Sequence, residues 1–177
     1  MHIIFSHGKE SGPNGNKIIQ LSRVAEAMVC TTESVDYQGM ESPQERVNRL
    51  IEVIKSTADE VVLVGSSMGG FVSLAATVEW LKNQSSTQLS ENKIKGMFLL
   101  VPAAFMSGYP AIETLEQFPP LSIVHGWKDD IVPYQNSLKL AEIHEADYHL
   151  LNDGHRLKEV LPQVVEIFKA FLGKALK

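Results

Sequence analysis

The sequence predicts an α/β fold, a three-layer sandwich whose mostly parallel sheet of about six strands carries helices on both faces. Three observations lead there. Short apolar runs alternate along the chain with longer amphipathic segments. The runs are unbroken, as expected of strands covered on both faces. A glycine-flanked serine falls where one such strand gives way to a helical pattern. Regular alternation of strand and helix makes the right-handed crossover the natural connection.

Ile3 to Ser6 opens the series as a strand. Between Lys17 and Met28, the residues Ile18, Leu21, Val24, Ala25 and Met28 recur on one helical face. A weaker strand lies near Val29 to Val35. Ser42-Pro43-Gln44-Glu45 combines a capping residue, a proline in the first turn and a glutamate at the third helical position. Val47, Leu50, Ile51 and Ile54 then form the stripe of that helix. Val61 to Val64 is a clear strand, and a helix is expected over Gly70 to Leu81. Asn83 to Asn92 is polar and serine-rich and reads as a surface loop. Met97 to Val101 and Leu121 to His125 are strands. Between them no element is predicted for residues 102 to 120, bracketed by Pro102 and Pro119-Pro120, a stretch that could form one wall of a site. A helix over Ser137 to His144, a strand over Tyr148 to Leu151 and a helix over Val160 to Leu172 complete the chain. No internal repeat or linker interrupts it, so residues 1 to 177 read as one domain.

Bulk properties exclude several classes. A chain of 177 residues can close a real core, and its 44% apolar and 21% charged content is ordinary for a globular protein. The net charge is −5 with no run of Lys or Arg, which argues against nucleic acid as a partner. Cys30 is the single cysteine, so no internal disulfide can form, and it reads as a small buried hydrophobe. No stretch reaches the ~18 apolar residues of a membrane span. The start, Met-His-Ile-Ile-Phe-Ser-His-Gly, lacks the basic and apolar regions of a signal peptide. A full-length cytoplasmic protein without membrane attachment is therefore expected. No His, Cys or Asp cluster has the spacing of a zinc site, so neither metal nor cofactor is expected. No heptad or apolar surface stripe from which an oligomeric state could be read stands out.

The chemistry concentrates in Gly65-Ser66-Ser67-Met68-Gly69-Gly70, which holds G-x-S-x-G with Ser67 at its centre. A chance match in a chain of this length arises roughly once in twenty. Its position after the Val61–Val64 strand and before a helix is what gives it weight, because a strand-to-helix elbow needs small flanking residues. The helix N-terminus beneath Ser67 would favour developing negative charge. A serine hydroxyl needs a base. Of six histidines, His155 alone sits in a loop between the last strand and the last helix, at a strand's carboxyl end where α/β proteins assemble sites. His125-Gly126-Trp127-Lys128-Asp129-Asp130-Ile131-Val132-Pro133 follows another strand end with two adjacent carboxylates to orient the imidazole. Those aspartates could equally shape the turn. Asp153, only two residues before His155, is a rival acid better suited to shaping its own turn.

These segments together resemble the α/β-hydrolase superfamily in order and content, from strand-His7-Gly8 through the Ser67 elbow to Gly154-His155. The resemblance spans nearly the whole chain. It implies the acid three residues before Val-Pro, Asp129, and a catalytic triad of Ser67, His155 and Asp129. It also implies an oxyanion hole from the backbone N–H groups of Met68 and Lys9, although Lys9 stands where relatives often carry an apolar or aromatic residue. The usual leading antiparallel strands and lid insertion are missing, so a minimal, cap-less fold is implied, resembling small esterase-like proteins. Phe71, Phe105, Met106, Tyr109 and Trp127 are candidates to line a pocket, with Phe71, Tyr109 and Trp127 put first as substrate contacts. The expected activity is a carboxylesterase or thioesterase acting on a small-molecule acyl ester. The alternative is a non-catalytic relative that uses the fold as a binding or scaffold module, against which the three intact residues speak.

Overall fold

The computed structural model describes residues 1–84, 92–113, 115 and 117–177. Six strands form one wholly parallel sheet: β1 (His2–Ser6), β2 (Thr31–Val35), β3 (Val61–Ser66), β4 (Ile94–Leu100), β5 (Leu121–Gly126) and β6 (Asp147–Leu151). Their spatial order is β2-β1-β3-β4-β5-β6. Five helices connect them among the described residues: α1 (Asn16–Ala27), α2 (Pro43–Ser56), α3 (Met68–Lys82), α4 (Tyr134–His144) and α5 (Leu161–Ala175).

The pleat sorts the core into two layers. Ile4, Val61 and Leu63 pack with Val47, Leu50, Leu74 and Leu140 under α2, α3 and α4. Ile3, Phe5, Val62 and Val64 point the other way and pack with Leu21, Ala25, Val164 and Phe168 of α1 and α5. Alternate residues of one strand thus serve opposite layers, which is why the strand sequences are continuously apolar. Cys30 is buried in the second layer, just before β2.

The elements differ from the sequence expectation mainly at their ends. α3 begins at Met68, immediately after Ser67, and α4 begins at Tyr134, directly behind Pro133. β4 starts at Ile94 and stops at Leu100, because Val101 leaves the sheet with φ 46°. Ser42 and Pro43 take the predicted cap and first-turn positions of α2, but Ser42 makes no side-chain capping bond. Residues 102–113, 115 and 117–120 form turns and irregular chain. Of the loop expected over Asn83 to Asn92, residues 85–91 lie outside the described residues.

The chain direction reverses between the neighbouring strands β1 and β3: the connection leaving β1 runs to β2 on one side, and that leaving β3 runs to β4 on the other. A crevice opens at the carboxyl ends of strands flanking such a switch point. Here those ends deliver His7-Gly8-Lys9 from β1 and the Ser66–Ser67 turn from β3, side by side.

One local conflict lies away from that crevice. α1 ends in a Schellman arrangement, with Cys30 N–H donating to Ala25 O at 3.0 Å and Val29 N–H to Glu26 O at 3.0 Å. The left-handed position falls on Val29, a β-branched residue at φ 63° whose side chain is 93% exposed. Glycine takes this conformation without steric cost. Val29→Gly is expected to raise stability by about 1 kcal/mol, read as a higher urea midpoint. An unchanged or lower midpoint would show that the local geometry is not strained.

Candidate active site

Ser67 sits between β3 and α3 at φ 56° and ψ −119°, a conformation costly for a non-glycine residue. Its peptide is held firmly. Ser67 N–H donates to Leu100 O at 2.9 Å, while its carbonyl accepts from Gly70 at 2.9 Å, Phe71 at 3.2 Å and Ala103 at 3.0 Å. The flanking glycines answer to space. A Cβ on Gly69 would lie 2.0 Å from the Ser6 carbonyl oxygen, and one on Gly65 would lie 2.5 Å from the Gly69 carbonyl oxygen. Any side chain at either position would push α3 off β1 or β3.

The three residues singled out in the sequence meet at this edge. The Ser67 hydroxyl donates to His155 Nε2 at 3.0 Å, and His155 Nδ1–H donates to Asp129 Oδ2 at 2.7 Å. Asp129 is fully buried at its side chain and His155 is 15% exposed at its own. Asp129 Oδ1 accepts the backbone N–H groups of Ile131 and Val132, each at 2.9 Å. Oδ2 also faces His125 Nε2–H at 3.0 Å, a proton shared with the Val132 carbonyl at the same distance. His125 is itself buried and accepts from the Ser137 hydroxyl at Nδ1, 2.7 Å, which fixes its tautomer. Burial alone would raise the Asp129 pKa. The hydrogen bonds from His125, His155, Val132 and Ile131 outweigh it and hold the carboxyl well below the usual range.

Asp153 does a different job. Its carboxylate accepts from the N–H groups of Gly154 at 2.7 Å, Glu159 at 2.8 Å and Val160 at 3.1 Å, so it shapes the loop that carries His155. Burial opposes ionisation, and these three backbone bonds more than offset it, lowering its pKa.

The loop after β1 is tied just as closely. Tyr37 N–H donates to His7 Nε2 at 3.2 Å, so the proton of the neutral ring is on Nδ1, which donates to Gly8 O at 2.8 Å. Burial lowers the pKa of His7, in keeping with that neutral form. Buried Arg46 of α2 adds Nη1 at 3.4 Å from the same Gly8 oxygen, donates from Nε to Met40 O at 2.9 Å, and lies 5.2 Å from the Tyr37 ring centroid. The Gly8–Lys9 peptide is trans, as are the others among the described residues, so holding the Gly8 carbonyl on one side turns the Lys9 N–H to the other. A Cβ on Gly8 would be 3.5 Å from Ser67 Cβ, which sets this peptide beside the serine. Neither the Lys9 nor the Met68 N–H is engaged by another described group.

The profile of an uncharacterised protein family, UPF0227, matches residues 2–88. A provisionally named hydrolase of the alpha/beta superfamily from Xanthomonas campestris pv. campestris is 29% identical, with a TM-score of 0.82 over 98% of this chain and 98% of that one. The chain belongs to the α/β-hydrolase superfamily. Within it, Est1E from Butyrivibrio proteoclasticus shares the fold at 17% identity and a TM-score of 0.77, covering 99% of this chain and 88% of its own. Mouse alpha/beta hydrolase domain-containing protein 10 does so at 20% identity and a TM-score of 0.80, covering 98% and 90%. No curated protein matches the chain by sequence.

A cavity of about 660 Å³ opens beside Ser67 and His155. The β1 loop from Ser6 to Ser11, the first turn of α1, Tyr109, Ile131 and the segment from His155 to Leu161 contribute to its walls. Tyr109 lines it as expected, so the irregular stretch after β4 does supply part of a wall. Phe71 does not: it is 2% exposed and packs edge-on against Tyr109, ring centroids 4.9 Å apart. Trp127 is 48% exposed and lies outside the lining, as do Phe105, under Lys139, and Met106, beside Asn136. Among the described residues no group of three His, Cys, Asp or Glu side chains is arranged to hold a metal, and no helix is long and apolar enough to cross a membrane.

Sequence reasoning passed over His125, Arg46 and Lys17. His125 stands four residues before Asp129 in the quoted motif, which was a usable signal. Arg46 precedes Leu50 and Ile54 at intervals of four, so a charge occupied a position on an apolar helical face. Lys17 gave no sign of the cavity it lines.

In Asp129→Asn the amide NH₂ would confront two imidazole N–H groups, costing about 1–3 kcal/mol at pH 7. The depressed Asp129 pKa means its stabilisation is complete above the unfolded value of about 4 and fades as pH falls toward the folded one. The stability gap between wild type and Asp129→Asn should therefore narrow below that pH. A gap in urea unfolding that stays constant with pH would contradict the assignment.

Proposed function

We propose that this protein is a serine hydrolase of the carboxylesterase or thioesterase type that cleaves small acyl esters through an acyl-enzyme on Ser67. The observation that carries the reading is the continuous chain from Ser67 Oγ to His155 Nε2 at 3.0 Å and from His155 Nδ1 to Asp129 at 2.7 Å. The name of the Xanthomonas hydrolase agrees with it.

Ser67 Oγ attacks the substrate carbonyl carbon as its proton passes to His155 Nε2. Asp129 stabilises the imidazolium without taking the proton. The N–H groups of Met68 and Lys9 receive the oxyanion, and fixed donors of this kind need no reorganisation as charge develops. His155 then protonates the leaving oxygen or sulfur, and the acyl group stays on Ser67. Water, deprotonated by His155, attacks the acyl-enzyme and releases the acid. In this scheme His7 and Arg46 are positioning residues, acting through the Gly8 carbonyl on the direction of the Lys9 N–H.

The deciding experiment is labelling of purified protein by a fluorophosphonate probe, beside ester turnover. Wild type should label, and Ser67→Ala and His155→Ala should not. Ser67→Ala should lose on the order of 10⁴-fold or more in kcat while keeping its unfolding midpoint. A folded wild type that does not label would leave the fold as a binding module.

Arg46→Met tests the positioning argument. It removes a buried cation that has no carboxylate partner among the hydrogen bonds and ion pairs of the described residues, and such replacements need not cost stability. The expected result is a kcat reduced by roughly 10-fold or more with KM little changed. A KM effect alone would mean that Arg46 does not orient the oxyanion donor.

A further inference from the structure

The chain carries 21 acidic against 16 basic residues, yet the cavity beside Ser67 reverses that balance. Lys9, Lys17, Arg156 and Lys158 line it, and Glu10 is its one lining carboxylate. Lys9 reaches the exposed Glu41 at 3.5 Å. Lys17, Arg156 and Lys158 make no hydrogen bond or ion pair among the described residues. The other carboxylates of the site are already committed: Asp129 to two imidazoles and two N–H groups, Asp153 to three N–H groups.

Lys17 is the most telling of the three. It is half-buried, and it stands in the first turn of α1, where the helix dipole disfavours a cation and no acidic side chain offsets it. Burial brings its ammonium down to about 8, with Asp129 and Asp153 opposing the fall and Arg156 adding to it. A cation kept in such a place without a partner is one that an incoming anion would satisfy.

We propose that the cavity selects esters whose acyl or alcohol part bears an anionic group, a carboxylate or a phosphate, bound against Lys17 with Arg156 and Lys158 adding to the attraction. This rests on the hydrolase reading and names its substrate class. Charge-assisted hydrogen bonds are stronger than neutral ones, and in a partly desolvated cavity they discriminate well against a neutral isostere.

The test compares mono-4-nitrophenyl glutarate with its methyl ester for an acyl-side carboxylate, and 4-acetoxyphenyl phosphate with phenyl acetate for an alcohol-side phosphate. The readout is the ratio of kcat/KM for the anionic ester over its neutral partner, within each enzyme. For at least one pair, wild type should favour the anion, Lys17→Gln should lower the ratio about 10-fold, and Lys17→Arg should restore it. The pair that responds identifies the anion and its side. Should Lys17→Gln not fold, Arg156→Gln is read by the same ratio. A ratio that neither substitution lowers overturns the proposal while the hydrolase reading stands. Calorimetric binding of the glutarate ester and of the phosphate ester to Ser67→Ala, with and without Lys17→Gln, needs no turnover. Weaker binding of either in the double variant upholds the anion site even if no ester is cleaved, and equal binding of both overturns it.

Discussion

The site depends on how closely the first turn of α3 crosses the end of β1. With Gly69 there, the helix lies where a Cβ would stand 2.0 Å from the Ser6 carbonyl oxygen. Two independent loops, one after β1 and one after β3, are thereby locked into a single surface. The strained Ser67 backbone follows from the same contact, since the chain must turn from strand to helix within one residue. Four backbone hydrogen bonds at Ser67, one donated to the Leu100 carbonyl and three accepted from Gly70, Phe71 and Ala103, over-determine that turn. Strain of about 1–3 kcal/mol is tolerable when the surroundings leave no alternative.

Around this elbow the polar groups are arranged by role. Asp129 is fully desolvated but accepts four N–H donors, two from backbone and two from imidazoles, so its negative charge is fixed in place and direction. His125, held by Ser137, closes the far side of that carboxylate, and His155 is the imidazole of the pair that reaches the Ser67 hydroxyl. On the opposite wall the donors are peptide groups. The direction of the Lys9 N–H is set from behind by the neutral ring of His7 and the guanidinium of Arg46, both acting on the Gly8 carbonyl. The acid–base chain and the peptide wall are thus anchored through separate networks. A substitution in one need not disturb the other.

Much of this was legible because it is local. Continuous apolar runs are required of strands buried on both faces, and glycines beside Ser67 are required by close packing, so both leave marks at short range. His155 and the Asp129-Asp130 pair were legible from their places at strand ends, whereas the choice of Asp129 came from the resemblance to the α/β-hydrolase superfamily. What escaped depends on which helix ends meet the cavity. Arg46 drew no reading, though its spacing with Leu50 placed it inward, and Lys17 served only to mark the start of a helical pattern. Aromatic character misled in turn. Phe71 sits one helical step past the elbow and was drawn into the core to support Tyr109, while Trp127 was left on the surface. The capping box at Ser42 failed in its hydrogen bond, because Pro43 and the packing of Val47, Leu50 and Ile54 position the helix without it.

A cap-less site has to obtain selectivity by means other than enclosure. In a lidded relative, substrate contacts would be completed by apolar surface closing over the acyl chain. Here no helical insertion covers the carboxyl edge of the sheet among the described residues, and exposed side chains such as Ile131 contribute to the cavity walls. Apolar burial available to a small ester is correspondingly limited. Charge acts over longer distances than dispersion and survives partial solvation, especially against low-dielectric walls. On the proposed reading, a basic lining in an acidic protein does for this open cavity what a lid would do for a closed one: it would hold one class of substrate near Ser67 long enough to react.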